Sequence, residues 1–419
     1  MEKAENTKTA LKRGIGLFDA TTLGLGAIIG GGIFVVTGIA AGLAGPALTI
    51  SMLISAAIAS FTAFSFSKLS AVLPKEGGIY GFAYEFISPS AGFIVGWMWI
   101  FSNIFVGAAV SLGFASYFAA LFPSLPVKVI ASAICLFFTI LNLIGIRQSA
   151  MLNSVLVSAK ILVLVFFVAF GLFYVSGSNF VPFAPNGSFG VLQGSALIFF
   201  AYAGFARITN LAEEVKDPSR TVPQSILLAL GISTVVYLFT SFVAVGLIGY
   251  VDLSISNSPL AEAIGVTGNN FAVSLISVGA IMATASVLLT TILGVSRVVF
   301  SMARNNDLPK FLCSIHSKFK TPYYAVAVTG SLMVLAIIFA DLSRLVAISS
   351  FAVLLYYSLA NLAAMRLSRR KKYFRIVSSV GLLSCLGLIP FLAVDSWIIG
   401  VIGIAFGIVF YQAWKKVKK

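Results

Sequence analysis

Long apolar blocks separated by short polar segments dominate the chain, without the polar stripe a soluble helix carries every few residues. A membrane helix needs about 20 apolar residues, and twelve blocks meet or approach that length. They are predicted at Leu17 to Leu43, Ala47 to Val72, Ala91 to Leu121, Val127 to Ile146, Met151 to Val175 and Gly190 to Ala212. The later ones are Val222 to Tyr250, Asn270 to Met302, Tyr323 to Ala340, Leu345 to Leu367, Ile376 to Val394 and Trp397 to Trp414. The longest are expected to tilt or to run beyond the lipid. The predicted fold class is therefore an all-α polytopic membrane protein with twelve spans.

Charge placement fixes an expected orientation. With a cytoplasmic N-terminus, most Lys and Arg fall on the cytoplasmic side, as the positive-inside rule requires. They include Lys12 and Arg13, the group Arg366, Arg369, Arg370, Lys371, Lys372 and Arg375, and Lys415, Lys416, Lys418 and Lys419. Only Lys128 and Arg344 fall outside, and Lys160 and Arg207 lie within spans. Both termini are thus expected in the cytoplasm, residues 1–16 and 415–419 forming tails. The basic clusters can also meet anionic lipid head groups.

Composition narrows the class. Of 419 residues, 59% are hydrophobic and 10% charged, against about 25% charged in soluble domains. That excludes an ordinary soluble enzyme and a disordered chain. The net charge of +15 sits in loops between apolar blocks, so it reads as topology and not as a nucleic-acid surface. Cys135, Cys313 and Cys385 are far apart, and His316 is the only histidine. No metal site, cofactor or disulfide framework is expected. The first apolar block is too long for a cleavable signal core.

Glycines mark two interruptions. Span 1 carries Gly24, Gly26 and the run Gly30-Gly31-Gly32 at its middle. Each glycine costs a helix about 1 kcal/mol relative to alanine, so the run favours a break. Close helix packing through small residues is the other reading, and the run alone leaves both open. Span 6 reads Phe199-Phe200-Ala201-Tyr202-Ala203-Gly204-Phe205-Ala206-Arg207, with a second break expected at Gly204. Paired weak points in the first and sixth spans fit two inverted five-helix halves, residues 17–175 and 190–367, with 376–414 peripheral. Such pairs point to a transporter site.

The motifs carry a resemblance. Gly26-Ala27-Ile28-Ile29-Gly30-Gly31-Gly32-Ile33-Phe34 resembles the helix-1 signature of the amino acid–polyamine–organocation superfamily. Pro74-Lys75-Glu76-Gly77-Gly78-Ile79-Tyr80 resembles its loop after helix 2. Phe200 to Phe205 with Ala212-Glu213-Glu214-Val215-Lys216-Asp217-Pro218 resembles its helix 6 and exit, and Arg297 to Pro309 its helix-8 exit. The resemblance implies a LeuT-type fold, discontinuous helices 1 and 6, and alternating-access transport of amino acids.

The physics of a zwitterion agrees. The outer half of helix 1 would offer the N–H groups of Gly30, Gly31 and Gly32 to a carboxylate. Carbonyls of Ala27, Ile28, Ile29, Phe200, Ala201 and Ala203 would receive the ammonium. Family members often carry serine where Gly31 stands, so that hydroxyl is missing here. Phe205 resembles the family's aromatic lid and gate, with plain core packing as the alternative. Tyr202, Asn103 and Ser111 are candidate walls. Asp19, Glu213 and Glu214 belong near the cytoplasmic surface, and no acidic residue sits at mid-depth. A cationic side chain would lack a counter-ion, so neutral amino acids are the expected substrate, those with small or moderately sized apolar side chains foremost.

Lys160 lies inside span 5, where a lysine costs at least about 2.5 kcal/mol. It aligns with a lysine that many family members hold where sodium-coupled relatives bind the ion. Contacts to the carbonyl of Gly26 and to Thr284 or Ser286 are expected, and with them a proton-coupled symporter; snorkelling to the interface is the alternative. Arg207 could close an inner gate by pairing with Asp19 or Glu85, or could snorkel. An exchanger of the same family and a cationic amino acid carrier stay open as alternatives. The chain shows no charged pore ring, no phosphate-binding loop and no catalytic constellation, so channel, ATP-driven pump and membrane enzyme are disfavoured. The expected partners are a small amino acid, protons and membrane lipid, with a monomer as the simplest assembly.

Overall fold

In lipid, every backbone amide must find its partner within the protein, which leaves helices as the building unit for these apolar blocks. The structure is a computed structural model. It describes residues 14–73, 78–122, 126–145, 150–211, 215–367 and 372–417. Lys12, Arg13, Pro74 to Gly77, Ala212 to Glu214, Arg369 to Lys371, Lys418 and Lys419 lie outside the described residues.

The first apolar stretch divides into α1 (Leu17–Ile28), a π-helical segment Gly32–Val36 and α2 (Thr37–Ala44). A 3-10 turn at Gly45–Ala47 leads into α3 (Leu48–Val72). Gly45 makes that reversal at φ +65°, and a Cβ there would lie 2.2 Å from Pro185. A short α4 (Gly78–Phe86) precedes α5 (Pro89–Leu121), whose Ser88 side chain caps the amide of Ala91. Then follow α6 (Val127–Ile144), α7 (Ala150–Gly171) and α8 (Gly187–Tyr202), the last continuing as a 3-10 helix, Ala203–Leu211. The second half holds α9 (Pro218–Ile255), α10 (Pro259–Gly265), α11 (Asn270–Arg304), α12 (Tyr323–Phe339) and α13 (Leu342–Leu367). It ends with α14 (Lys372–Leu388) and α15 (Val394–Val417).

Among the described residues, ten helical stretches are long and apolar enough to cross a membrane, so this is a multi-pass membrane protein. The first of them, Leu17–Val72, runs through the Gly45 turn, and the 17-residue α12 is shorter than the rest. Hydropathy did not anticipate α4 or α10, which are too short to span. It also set the end of α7 at Val175; the helix stops at Gly171, where a 3-10 turn takes over.

Burial separates centre from rim. Within their most apolar windows, Leu17–Val72 is 78% buried, Gly187–Thr209 72% and α13 83%. By contrast α6 and the Lys372–Phe391 stretch are 28% buried and Val394–Lys416 22%. The outer helices expose rows such as Leu383, Ile398, Ile402 and Phe406 to lipid. The interrupted segments therefore sit at the centre, where irregular backbone can be satisfied by protein.

Candidate functional site

The site begins where α1 stops. Ile29 turns to extended backbone (φ −76°, ψ 97°) after its amide closes a last helical bond to Leu25 O at 2.7 Å. The chain then re-enters helix at Gly32. Amides at such a start have no intrahelical acceptor, so Gly30 to Gly32 present N–H groups at mid-protein. Span 6 behaves differently from the expected break at Gly204. It does not open; at Ala203 it tightens to 3-10 geometry and runs on to Leu211. The sequence between is small enough for the two segments to touch. A Cβ on Gly204 would stand 2.3 Å from Ala27 O, and one on Gly32 would stand 2.5 Å from Ala201 Cβ. The glycines thus serve both readings offered by the sequence: helix 1 breaks, and the broken ends pack backbone against backbone.

A cavity opens at this junction. It comprises about 520 Å³ of space free of atoms, part of it open to solvent. Ala27, Ile28, Gly30, Gly31 and Gly32 line it from the first span, and Phe200, Ala201 and Ala203 from the sixth. Trp99, Asn103, Val110, Val287 and Tyr356 complete the wall with Arg207.

Several expected residues lie elsewhere. Ile29 does not line the cavity; its carbonyl faces Lys160. Phe205 is fully buried away from the cavity, its ring edge-on to Phe66 at 5.5 Å and tilted on Tyr357 at 5.2 Å. This is the core-packing alternative, imposed by the turn of the 3-10 helix. Tyr202 packs on Tyr237 at 5.2 Å, also off the cavity. Ser111 donates to the carbonyl of Gly107 within its own helix.

Lys160 is 1% exposed, which excludes snorkelling. Its ammonium donates to the carbonyls of Gly26 and Ile29, each at 3.4 Å, and to Ser286 Oγ. Thr284, the other expected hydroxyl, donates instead to Ala280 and Ile281 O on its own helix. Arg207 departs further from expectation. It pairs with neither Asp19, which caps Gly16 N, nor Glu85. Its guanidinium reaches across the cavity to Asn103 Oδ1 (3.3 Å), Thr290 Oγ1 (3.3 Å) and Thr291 Oγ1 (2.8 Å).

Two tyrosines escaped the sequence reading. Tyr237 OH donates to Ile28 O at 2.7 Å and Ala201 O at 3.3 Å, tying both interrupted segments together. Tyr357 OH donates to Ala203 O at 2.6 Å. They serve the carbonyls that the irregular backbone releases. Each carbonyl keeps a second lone pair. A buried tyrosine inside an apolar block is the available signal, since its hydroxyl needs a partner.

Away from the cavity, two quoted motifs meet. Tyr80 OH donates to Asp307 Oδ2 at 2.8 Å and accepts from Asn305 Nδ2 at 3.1 Å, joining α4 to the exit of α11. Burial, helped by the Asp307 carboxylate, pushes the Tyr80 phenol up from its usual range. Next to Val215, Lys216 N donates to Ile15 O at 2.9 Å, so the exit of span 6 holds the entry of span 1. Among the described residues, no group of His, Cys, Asp and Glu could hold a metal ion.

Comparison with known proteins adds three relatives. Residues 15–414 match the family described as "Amino acid permease". The chain is 32% identical over 442 residues to the branched-chain amino acid permease BcaP of Bacillus subtilis, covering 99% of this chain and 95% of that one. It is 31% identical over 441 residues to the methylthioribose transporter of the same organism, with the same coverage. It is 34% identical over 331 residues to the chloroplastic cationic amino acid transporter 9 of Arabidopsis thaliana, covering 73% of this chain and 58% of that one.

Proposed function

The chain belongs to the amino acid permease family, a family of transporters and not of enzymes, and on that premise we propose that it carries neutral amino acids across the cell membrane by alternating access. The observation that carries this reading is the cavity shared by the two irregular segments, lined by Gly30 to Gly32 and by Ala201 and Ala203. Glycine amides at a helix start suit an α-carboxylate, and the carbonyls of Ala27, Ile28, Phe200, Ala201 and Ala203 suit an α-ammonium. No carboxylate lines the cavity among the described residues, which disfavours a cationic side chain. Relatives named for branched-chain and for cationic substrates leave the class to be decided by the site itself.

In this reading the chain has twelve spans in a LeuT-type arrangement: two inverted five-helix repeats, residues 17–175 and 190–367, with α14 and α15 outside them and both termini cytoplasmic. Their low burial supports a peripheral place. Lys160 takes the position of a coupling ion. It bridges the carbonyls of Gly26, in the last turn of α1, and Ile29, where α1 ends, to Ser286 on α11. Losing its proton would remove the charge from those contacts and free α1 to move against α11, which is how a proton gradient would drive the cycle. The same bridge would serve an exchanger, and transport without a gradient separates the two.

The test is uptake by the full chain in proteoliposomes. An inward proton gradient should accumulate neutral amino acids and not lysine or arginine. Uptake indifferent to the gradient sinks the coupling, and accumulation of cationic amino acids alone sinks the substrate class.

A further inference from the structure

Arg207 sits where a cation has least reason to be. It lines the cavity at the centre of the bundle, and its hydrogen-bond partners Asn103, Thr290 and Thr291 are all neutral. No acidic residue lines the same cavity among the described residues. A guanidinium carries five N–H donors. The three contacts leave two of them directed to no protein acceptor among the described residues. The nearby interior holds a second cation, Lys160, whose contacts are likewise all neutral. A buried charge without an opposite partner is costly, and here the missing partner has a place to sit.

That place is not the one assigned to the α-carboxylate. The glycine amides belong to the first span, whereas Arg207 extends from the 3-10 segment of the sixth towards α5 and α11. The cargo's two ends thus meet different elements. We propose that Arg207 reads the side-chain end of the amino acid, and that the favoured cargo carries a planar oxygen acceptor there, a carboxamide or a carboxylate. An oxygen acceptor of such a group meets a remaining N–H donor of the guanidinium in a charge-assisted hydrogen bond. Asn103 and Thr291 take the Nη2 hydrogens and Thr290 one on Nη1, which holds the guanidinium at the cavity wall and leaves Nε–H and one Nη1–H as separate donors. An apolar side chain in the same place would strip water from the guanidinium and return nothing. The inference rests on the transport reading above; it turns the neutral class from the apolar side chains expected from the sequence towards amides, and extends it to their acids.

Leucine, asparagine and aspartate have the same number of side-chain heavy atoms, so they separate the acceptor from size. With the full chain in proteoliposomes, radiolabelled asparagine and aspartate should each show a kcat/KM about tenfold or more above leucine, the factor that hydrogen bonding to a charged group supports. In Arg207→Gln and Arg207→Ala that preference should fall to within about threefold. Arg207→Lys, which keeps charge but loses the fork, should retain part of the aspartate preference and lose the asparagine preference. Should the variants fail to fold, thermal stabilisation of the wild-type chain by the three acids gives the same ranking. Leucine handled as well as the other two by the wild-type protein overturns the proposal and leaves the transport reading intact. A preference that survives in both Arg207→Gln and Arg207→Ala also overturns it. Absence of uptake for every amino acid would instead strike the transport reading itself.

Discussion

Lys160 and Arg207 are both cations held inside the bundle without a carboxylate, yet their surroundings differ in kind. Lys160 is enclosed, and its donors are taken by two backbone carbonyls and a serine behind the break in the first span. Arg207 lines the cavity, and its side-chain partners leave two of its five N–H donors without a protein acceptor among the described residues. A point charge with three donors suits a closed cage of carbonyls, whereas a planar fork suits an incoming planar group. The difference is the basis for proposing the dry cation for the moving joint and the open one for the cargo. The irregular segments differ in parallel: the first opens to extended backbone at Ile29, and the sixth only tightens to 3-10 geometry.

The contact between the two segments is the most sensitive point of this contrast. Gly204→Ala puts a methyl group 2.3 Å from the backbone oxygen of Ala27, which cannot swing aside. Overpacking of this kind costs about 1–3 kcal/mol, and the upper end is expected, together with loss of transport. Thermal unfolding in detergent and uptake measure it; an unchanged melting temperature would show that the segments do not meet as described. On the dry side, Lys160→Ala should cut gradient-driven uptake by about tenfold or more. PH-dependent uptake at the wild-type level would remove Lys160 from coupling.

On the open side, Thr291→Val withdraws the shortest of the Arg207 contacts, at 2.8 Å. The preference of asparagine over leucine should shrink by about threefold, the weight of one modest hydrogen bond. A preference left at the wild-type ratio would mean that Thr291 does not aim the fork. The smallest effect is expected at Tyr237→Phe, which deletes a donor to Ile28 and Ala201 without touching the cavity wall. Stability should fall by about 1 kcal/mol. A much larger loss of transport than of stability would show that Tyr237 acts in the cycle and not only as a tie.

Much of this was legible along the chain because lipid imposes a one-dimensional rule. A span must be long, apolar and internally bonded, so the blocks, the glycine weakness at Gly30 to Gly32 and the oddity of Lys160 within an apolar block all show in the sequence. Contacts between segments do not follow from such a rule. Phe205 and Arg207 are two residues apart, and a small change in helical twist decides which of them faces the cavity. The 3-10 turn from Ala203 sends Phe205 into the core against Phe66 and Arg207 into the opening. Likewise Ser286 and Thr284 are both hydroxyls on α11, and only the packing of α7 against that helix selects Ser286 for Lys160.

The sequence by itself therefore determined the medium, the helical class, a weak point in the first span and the presence of two cations that needed an explanation. Those features depend on composition and spacing, which the chain carries locally. Tertiary structure alone decided which carbonyls Tyr237 and Tyr357 satisfy, which hydroxyl meets Lys160 and what Arg207 faces. Each of those outcomes is set by the rotation of one helix against another, and a rotation leaves no trace in hydropathy.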